Sequence, residues 1–124
     1  MNKKVLKTLE FNKIIDMLME EAYSDLGKSL CENLVPSTDL HKIQTMQQNT
    51  SDALTRIWQK GSLSFSGLRD IGPSLKRLEI GSTLGMGELL NISSLLKVAN
   101  RVKAFSRNDD DSTDSLDGMF DALM

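Results

Sequence analysis

The stretch from Ser24 to Leu40, SDLGKSLCENLVPSTDL, forces two helices to meet at a corner. The ring of Pro36 clashes with helical conformation at Val35 and the residue has no backbone donor, so a helix arriving from the amino-terminal side must stop there. Ser24 is placed to cap that arriving helix, whose apolar residues Leu26, Leu30, Cys31 and Leu34 fall on or near one face. After the proline, Thr38 is placed to accept from the unpaired amides of the next turn, and Asp39 puts a negative charge at the positive end of its dipole. One helix ends here and another begins.

The flanking sequence carries the same periodicity. From Phe11 the apolar positions are Phe11, Ile14, Ile15, Leu18, Met19 and Ala22, a three-and-four spacing that lays one stripe along a helix. Val5 to Leu9 reads as a short extended or helical lead-in. Gly27 lies in the first turn of the capped helix, where glycine costs roughly 1 kcal/mol against alanine. Close approach of another backbone and a loose helix start explain that cost equally well.

The helix after Pro36 is expected from Asp39 to about Gln59, roughly 30 Å long at the usual rise. Its inner side would be Leu40, Ile43, Met46, Gln47, Thr50, Ala53, Leu54, Ile57 and Trp58. Gln47 and Thr50 make the middle of that stripe polar, as if it met a polar layer or a segment outside this chain. Gly61 to Gly67 reads as a loop pinned to the core by Leu63 and Phe65. Asp70 is placed to cap a short helix holding Ile71, Leu75, Leu78 and Ile80, with Pro73 tolerated in its first turn and Gly81 ending it. A last helix begins near Met86 to Glu88 and carries Leu89, Leu90, Ile92, Leu95, Leu96, Ala99, Val102 and Phe105. So broad a stripe suits a helix with two or three neighbours.

The expected fold is all-α, a bundle of about four to five helices. Its extent is residues 1–106, followed over 107–124 by an acidic linker and the start of a further helix marked by Leu116, Met119, Phe120 and Leu123. An apolar turn at the end is what a sequence cut from a longer protein would show. Aromatic residues are only 5% of the chain, which favours helix packing over a sandwich of β-branched and aromatic side chains.

Charge divides along the chain. Residues 1–107 hold 15 Lys and Arg against 11 Asp and Glu, whereas 108–124 hold six Asp and no base. The mildly basic body does not by itself argue for nucleic acid. Arg56 and Lys60 at the end of one helix, with Arg69, Lys76 and Arg77 after it, are nonetheless the candidate nucleic-acid contacts. Bases near helix ends more often satisfy terminal carbonyls, and no aromatic residues are interleaved with these for base stacking.

No catalytic, cofactor or metal site is expected in the chain. Cys31 is the only cysteine, so it forms no internal disulfide, and no metal-ligand spacing surrounds it. His41, the only histidine, sits in a helix's first turn beside Asp39 and Lys42 and reads as a solvated residue. The glycines of GSTLGMG are not followed by Lys and Ser or Thr and are not preceded by an apolar strand, so they do not make a phosphate loop. Asp109, Asp111 and Gly118 lack calcium-loop spacing. No apolar run reaches membrane-spanning length and the amino terminus has no signal-peptide core, so the expectation is a cytoplasmic protein without a membrane partner.

The order of Leu-Gly-Lys, a leucine-bearing helix, Pro-Ser-Thr-Asp-Leu and a long helix resembles the start of the core domain of MutS-type ATPases. Leu9-Glu10-Phe11 with Ile14, Ile15 and Leu18, and GLRDIGPSLKRLEIGSTLGMGELL from Gly67 to Leu90, resemble its MutS-two branch, whose members begin with the core because they lack mismatch-reading domains. The likeness covers residues 5–106. It implies a non-catalytic lever segment of a dimeric parent that uses ATP and Mg and packs against the remaining core, clamp and ATPase domains. Such parents bind branched DNA or collided ribosomes and restrain recombination, and many carry a carboxy-terminal nuclease domain. A self-contained helical interaction module, using spare apolar faces over 40–58 or 116–123, is the alternative.

Overall fold

A computed structural model describes residues 2–107 and 113–123; the acidic run Asp109 to Asp111, read above as linker, lies outside the described residues. Seven helices and no strand are found among the described residues, so the all-α expectation holds, with two short helices beyond the expected four or five. They fall into two compact units, Met1–Pro36 with Phe65–Leu95, and Ser37–Ser64 with Leu96–Met124. The last segment packs with the long helix after Pro36.

In the first unit, α1 (Lys3–Thr8) is capped by Asn2, whose side chain accepts from the Lys4 amide at 3.0 Å. Glu10, left-handed at φ 54°, turns the chain into α2 (Phe11–Glu21), which buries Ile15. α2 packs on α1 and on α3 (Asp25–Glu32). Ser24 caps α3 as expected, its hydroxyl accepting from the Gly27 amide at 3.0 Å. A Cβ at Gly27 would stand 3.0 Å from that same hydroxyl. The glycine therefore makes room for the cap, which neither expected explanation supplied.

Later in the first unit, Asp70 accepts from the Gly72 amide at 2.8 Å and opens α5 (Gly72–Glu79). Gly81, at φ 80°, closes it: its amide donates to the Leu78 carbonyl and the Ser82 amide to the Arg77 carbonyl, both at 2.9 Å. This pair of bonds is a Schellman ending, and it needs the left-handed glycine. The first half of α6 (Met86–Ser106) belongs here too. Glu88 reaches back to accept from the Gly85 amide at 2.7 Å and also from Ser74 and Arg77 of α5.

In the second unit, α4 (Leu40–Lys60) is capped by Asp39, whose side chain accepts from the Lys42 amide at 3.2 Å. Thr38 does not take that role. The Ser37 hydroxyl holds the Asp39 amide at 3.2 Å, which moves the start of the helix one residue on. α4 ends at Gly61, φ 86°. The second half of α6 buries Val98 and Val102, and α7 (Asp117–Asp121) completes the unit.

Two expectations about helix faces change. On α4 the residues shielded from solvent are Ile43, Asn49, Asp52, Ala53, Arg56 and Lys60, a mostly polar face. Leu40, Met46, Leu54, Ile57 and Trp58, expected inside, are exposed. On α6, Leu89, Leu90 and Leu96 are exposed, while Val98, absent from the expected stripe, is among the most buried residues. The reason is partner supply: the charged groups of α4 find complements on the final segment, whereas its apolar stripe finds no cover.

Candidate functional site

The most concentrated polar chemistry surrounds Arg56, only 2% exposed. Its Nε and Nη2 donate to the two carboxylate oxygens of Asp114 at 2.5 and 2.6 Å, the forked geometry that suits a planar guanidinium. Nη2 also donates to Asp117 at 2.5 Å, and Nη1 to the Ser106 carbonyl at 3.1 Å. The Phe120 ring stacks beneath, its centre 4.7 Å from the guanidinium carbon.

The local sequence explains why those groups converge. Asp114 and Asp117 lie one turn apart and grip each other's turn: the Leu116 amide donates to Asp114 and the Asp114 amide to Asp117, both at 2.9 Å. Phe120 follows one turn later. Beside them, the Ser115 amide and hydroxyl donate to Asp52 at 3.0 and 2.6 Å. Hydrogen bonding from Arg56 holds the Asp114 carboxyl below its ordinary pKa, and the Asp114 bond raises that of Arg56. Bonds from Ser115 lower that of Asp52. All three groups are charged at neutral pH, with opposite charges matched around Arg56. That arrangement anchors a helix.

The five basic residues expected to contact nucleic acid are not alike. Arg56 is withdrawn into the protein by its two carboxylates. The Lys60 amino group donates to the carbonyls of Phe105, at 3.0 Å, and of Arg107, and lies 5.7 Å from the Phe105 ring centre. Both bases thus satisfy carbonyls at the end of α6, the commoner role for such residues. Arg77 donates to Glu88 at 2.7 Å and to the Thr83 carbonyl at 3.2 Å. Bonds to Glu88, led by the Gly85 amide, lower the pKa of that carboxyl. Arg69 and Lys76 are exposed and enter no ion pair among the described residues.

Sequence reasoning missed Asp114 and Asp117 because the acidic composition of the tail suggested solvation. The available signal was two carboxylates and an aromatic residue at successive helical turns, a face made to receive an arginine. Of the two spare faces expected of an interaction module, 116–123 is partly used, since Phe120 lies on Arg56 while Met119 and Leu123 stay exposed. The 40–58 face is open. Trp58, 78% exposed, is its largest side chain.

A chain with long helices, one internal charge anchor and open apolar faces is placed by its relatives. The endonuclease MutS2 of Agathobacter rectalis is 50% identical over 122 residues, 97% of this chain and 15% of that protein. The chain belongs to the MutS-two family. MutS2 of Lachnoclostridium phytofermentans is 48% identical over 123 residues, and MutS2 of Bacillus cereus 40% over 105. Those matches cover 99% and 85% of the chain but 16% and 13% of the relatives. The MutS-two chain therefore corresponds to a segment, spanning about 15% of the length of the curated relatives it matches. No protein-family model matches it. Among its described residues no group of His, Cys, Asp and Glu is arranged to hold a metal ion, and no helix is long and apolar enough to cross a membrane.

Proposed function

We propose that this chain is a non-catalytic helical scaffold, the lever segment of a MutS-two-type ATPase that acts on branched DNA or collided ribosomes. The observation that carries the reading is the uncovered apolar stripe of α4 on a segment of a much longer family. Leu40, Met46, Leu54, Ile57 and Trp58 recur at helical spacing yet face water. Contiguous apolar surface of this kind marks an interface. In the proposal the remaining core, clamp and ATPase domains of the parent cover it, and ATP, Mg, DNA or ribosome binding and dimerisation belong to that cytoplasmic parent. The endonuclease activity in the relatives' names belongs, on the same reading, to parts outside this segment.

The test is a split protein. The chain is expressed apart from the rest of the MutS-two polypeptide and the two are mixed. Neither ATP hydrolysis nor nuclease activity is expected from the chain alone, whereas the mixture forms a stable complex whose ATP turnover exceeds that of the remainder alone. Turnover by the isolated chain above a buffer blank would overturn the proposal.

A further inference from the structure

Asp117–Gly118 is the only place in the chain where an aspartate precedes a glycine. Such a pair carries its own chemistry. The glycine nitrogen attacks the aspartate Cγ; a C–N bond forms, and the side-chain hydroxyl leaves with the nitrogen's proton as water. Water then reopens the cyclic imide. Addition at Cγ restores aspartate. Addition at the main-chain carbonyl instead breaks the original peptide bond and leaves isoaspartate, of unchanged mass, with the chain running through the side chain. Solvent water is the only reagent.

Two features of α7 bear on that reaction, and they oppose each other. Gly118 is exposed, has open space where a Cβ would stand, and lies in the first turn, where a backbone amide has no acceptor within the helix. Its nitrogen is accessible. The Asp117 carboxylate, by contrast, is held by both oxygens: Oδ1 accepts from Arg56 Nη2 at 2.5 Å and Oδ2 from the Asp114 amide at 2.9 Å. Attack requires Cγ to turn onto the next nitrogen of the chain, and both bonds must break first. The neighbouring Asp114–Ser115 link lacks the first feature, since the Ser115 amide donates to Asp52 at 3.0 Å.

We infer that Asp117–Gly118 is a spontaneous modification site gated by Arg56: while α7 is docked the aspartate is kept, and when α7 leaves it converts to isoaspartate. The change prevents return. In the isomer the carboxylate stands on Cα, one carbon closer to the main chain, and the main chain is one methylene longer, so the group no longer reaches Arg56 and the Asp114 amide together. A transient local opening of α7 thereby becomes a permanent loss of one of the two carboxylates that hold the buried guanidinium. The inference depends on the anchor alone and stands apart from the scaffold reading.

The experiment ages the full MutS-two polypeptide containing this sequence at neutral pH, beside a free peptide of residues 113–121 as the ungated reference. Electron-transfer fragmentation of the digested protein reads isoaspartate at position 117. Conversion in the polypeptide is expected to be at least about tenfold slower than in the peptide, and Arg56→Met should raise it about tenfold or more, the least that losing a charge-assisted hydrogen bond does to an opening equilibrium. Gly118→Ala, which puts a methyl group into open space, should suppress conversion in both. Hydrogen exchange on the aged protein should find the α7 amides unprotected in the isoaspartate-bearing molecules. Circular dichroism checks that Arg56→Met keeps its helices; if it does not, Phe120→Ala, which removes the ring beneath Arg56, takes its place with a smaller expected rise. Equal rates in polypeptide and peptide, no conversion in the peptide, no rise in the folded variant, conversion undiminished by Gly118→Ala, or α7 protection unchanged in converted molecules would each overturn the inference.

Discussion

The two units are held together in different ways. In the first, order comes from local devices: Ser24 on Gly27, Asp70 on Gly72, Gly81 closing α5 and Glu88 reaching back to Gly85. In the second, the decisive bonds join residues distant in sequence, Arg56 with Asp114 and Asp117 and Asp52 with Ser115. Caps fix where helices begin and end, but they leave open what lies beside them. A buried arginine with two carboxylates fixes a neighbour, because any other arrangement leaves a desolvated charge without a partner. The contrast teaches that this chain uses charge for specificity and leaves the apolar stripe of α4 exposed.

The largest expected effect breaks the second unit. Arg56→Met removes the cation from between Asp114 and Asp117, and should cost about 2 to 3 kcal/mol, below the full value for a buried pair because both carboxylates keep some solvent contact. Hydrogen exchange should show the α7 amides losing protection while α2 and α3 are unchanged.

Smaller effects break the first unit. Gly81→Ala puts a side chain at φ 80° and should cost about 1 to 2 kcal/mol by chemical denaturation, with loss of protection at the end of α5. Ser24→Ala removes the cap of α3 and should cost about 1 kcal/mol, with the α7 amides unaffected.

The smallest effect is a null at ordinary pH that sharpens the comparison. The folded-state pKa of Asp114 is depressed, so the unfolded chain binds more protons at acid pH and the anchor's contribution falls as pH falls through that depressed value. Docking of α7 should be unchanged from about pH 8 to 5.5 and should weaken only below about pH 4, where an ordinary carboxylate is taking up its proton. Phe120 chemical shifts across that range provide the measurement.

The sequence revealed elements better than faces. Gly61 and Gly81 ended helices where expected, and Ser24 capped α3, because these signals act over one turn of chain; α3 itself stopped at Glu32, short of Pro36 and of Leu34, which was expected on it. The cap of α4 moved from Thr38 to Asp39, a slip decided by the Ser37 hydroxyl. The inner face of α4 was misjudged because periodicity identifies an apolar stripe without saying whether a neighbour is present to cover it. Arg56 looked like a surface base for the converse reason: its complement is 58 residues away along the chain, in a segment whose acidity suggested solvent. The α6 stripe shows both outcomes, with Val102 buried and Leu89, Leu90 and Leu96 exposed.

Trp58 is the only tryptophan of the chain and stands on the uncovered stripe, so its accessibility tests the scaffold account most directly. Its fluorescence is to be measured with acrylamide as quencher, in the isolated chain and in the full MutS-two polypeptide with every other tryptophan replaced by phenylalanine. The account predicts red-shifted, readily quenched emission from the isolated chain and blue-shifted, protected emission from the full polypeptide. Equal exposure of Trp58 in both would contradict it.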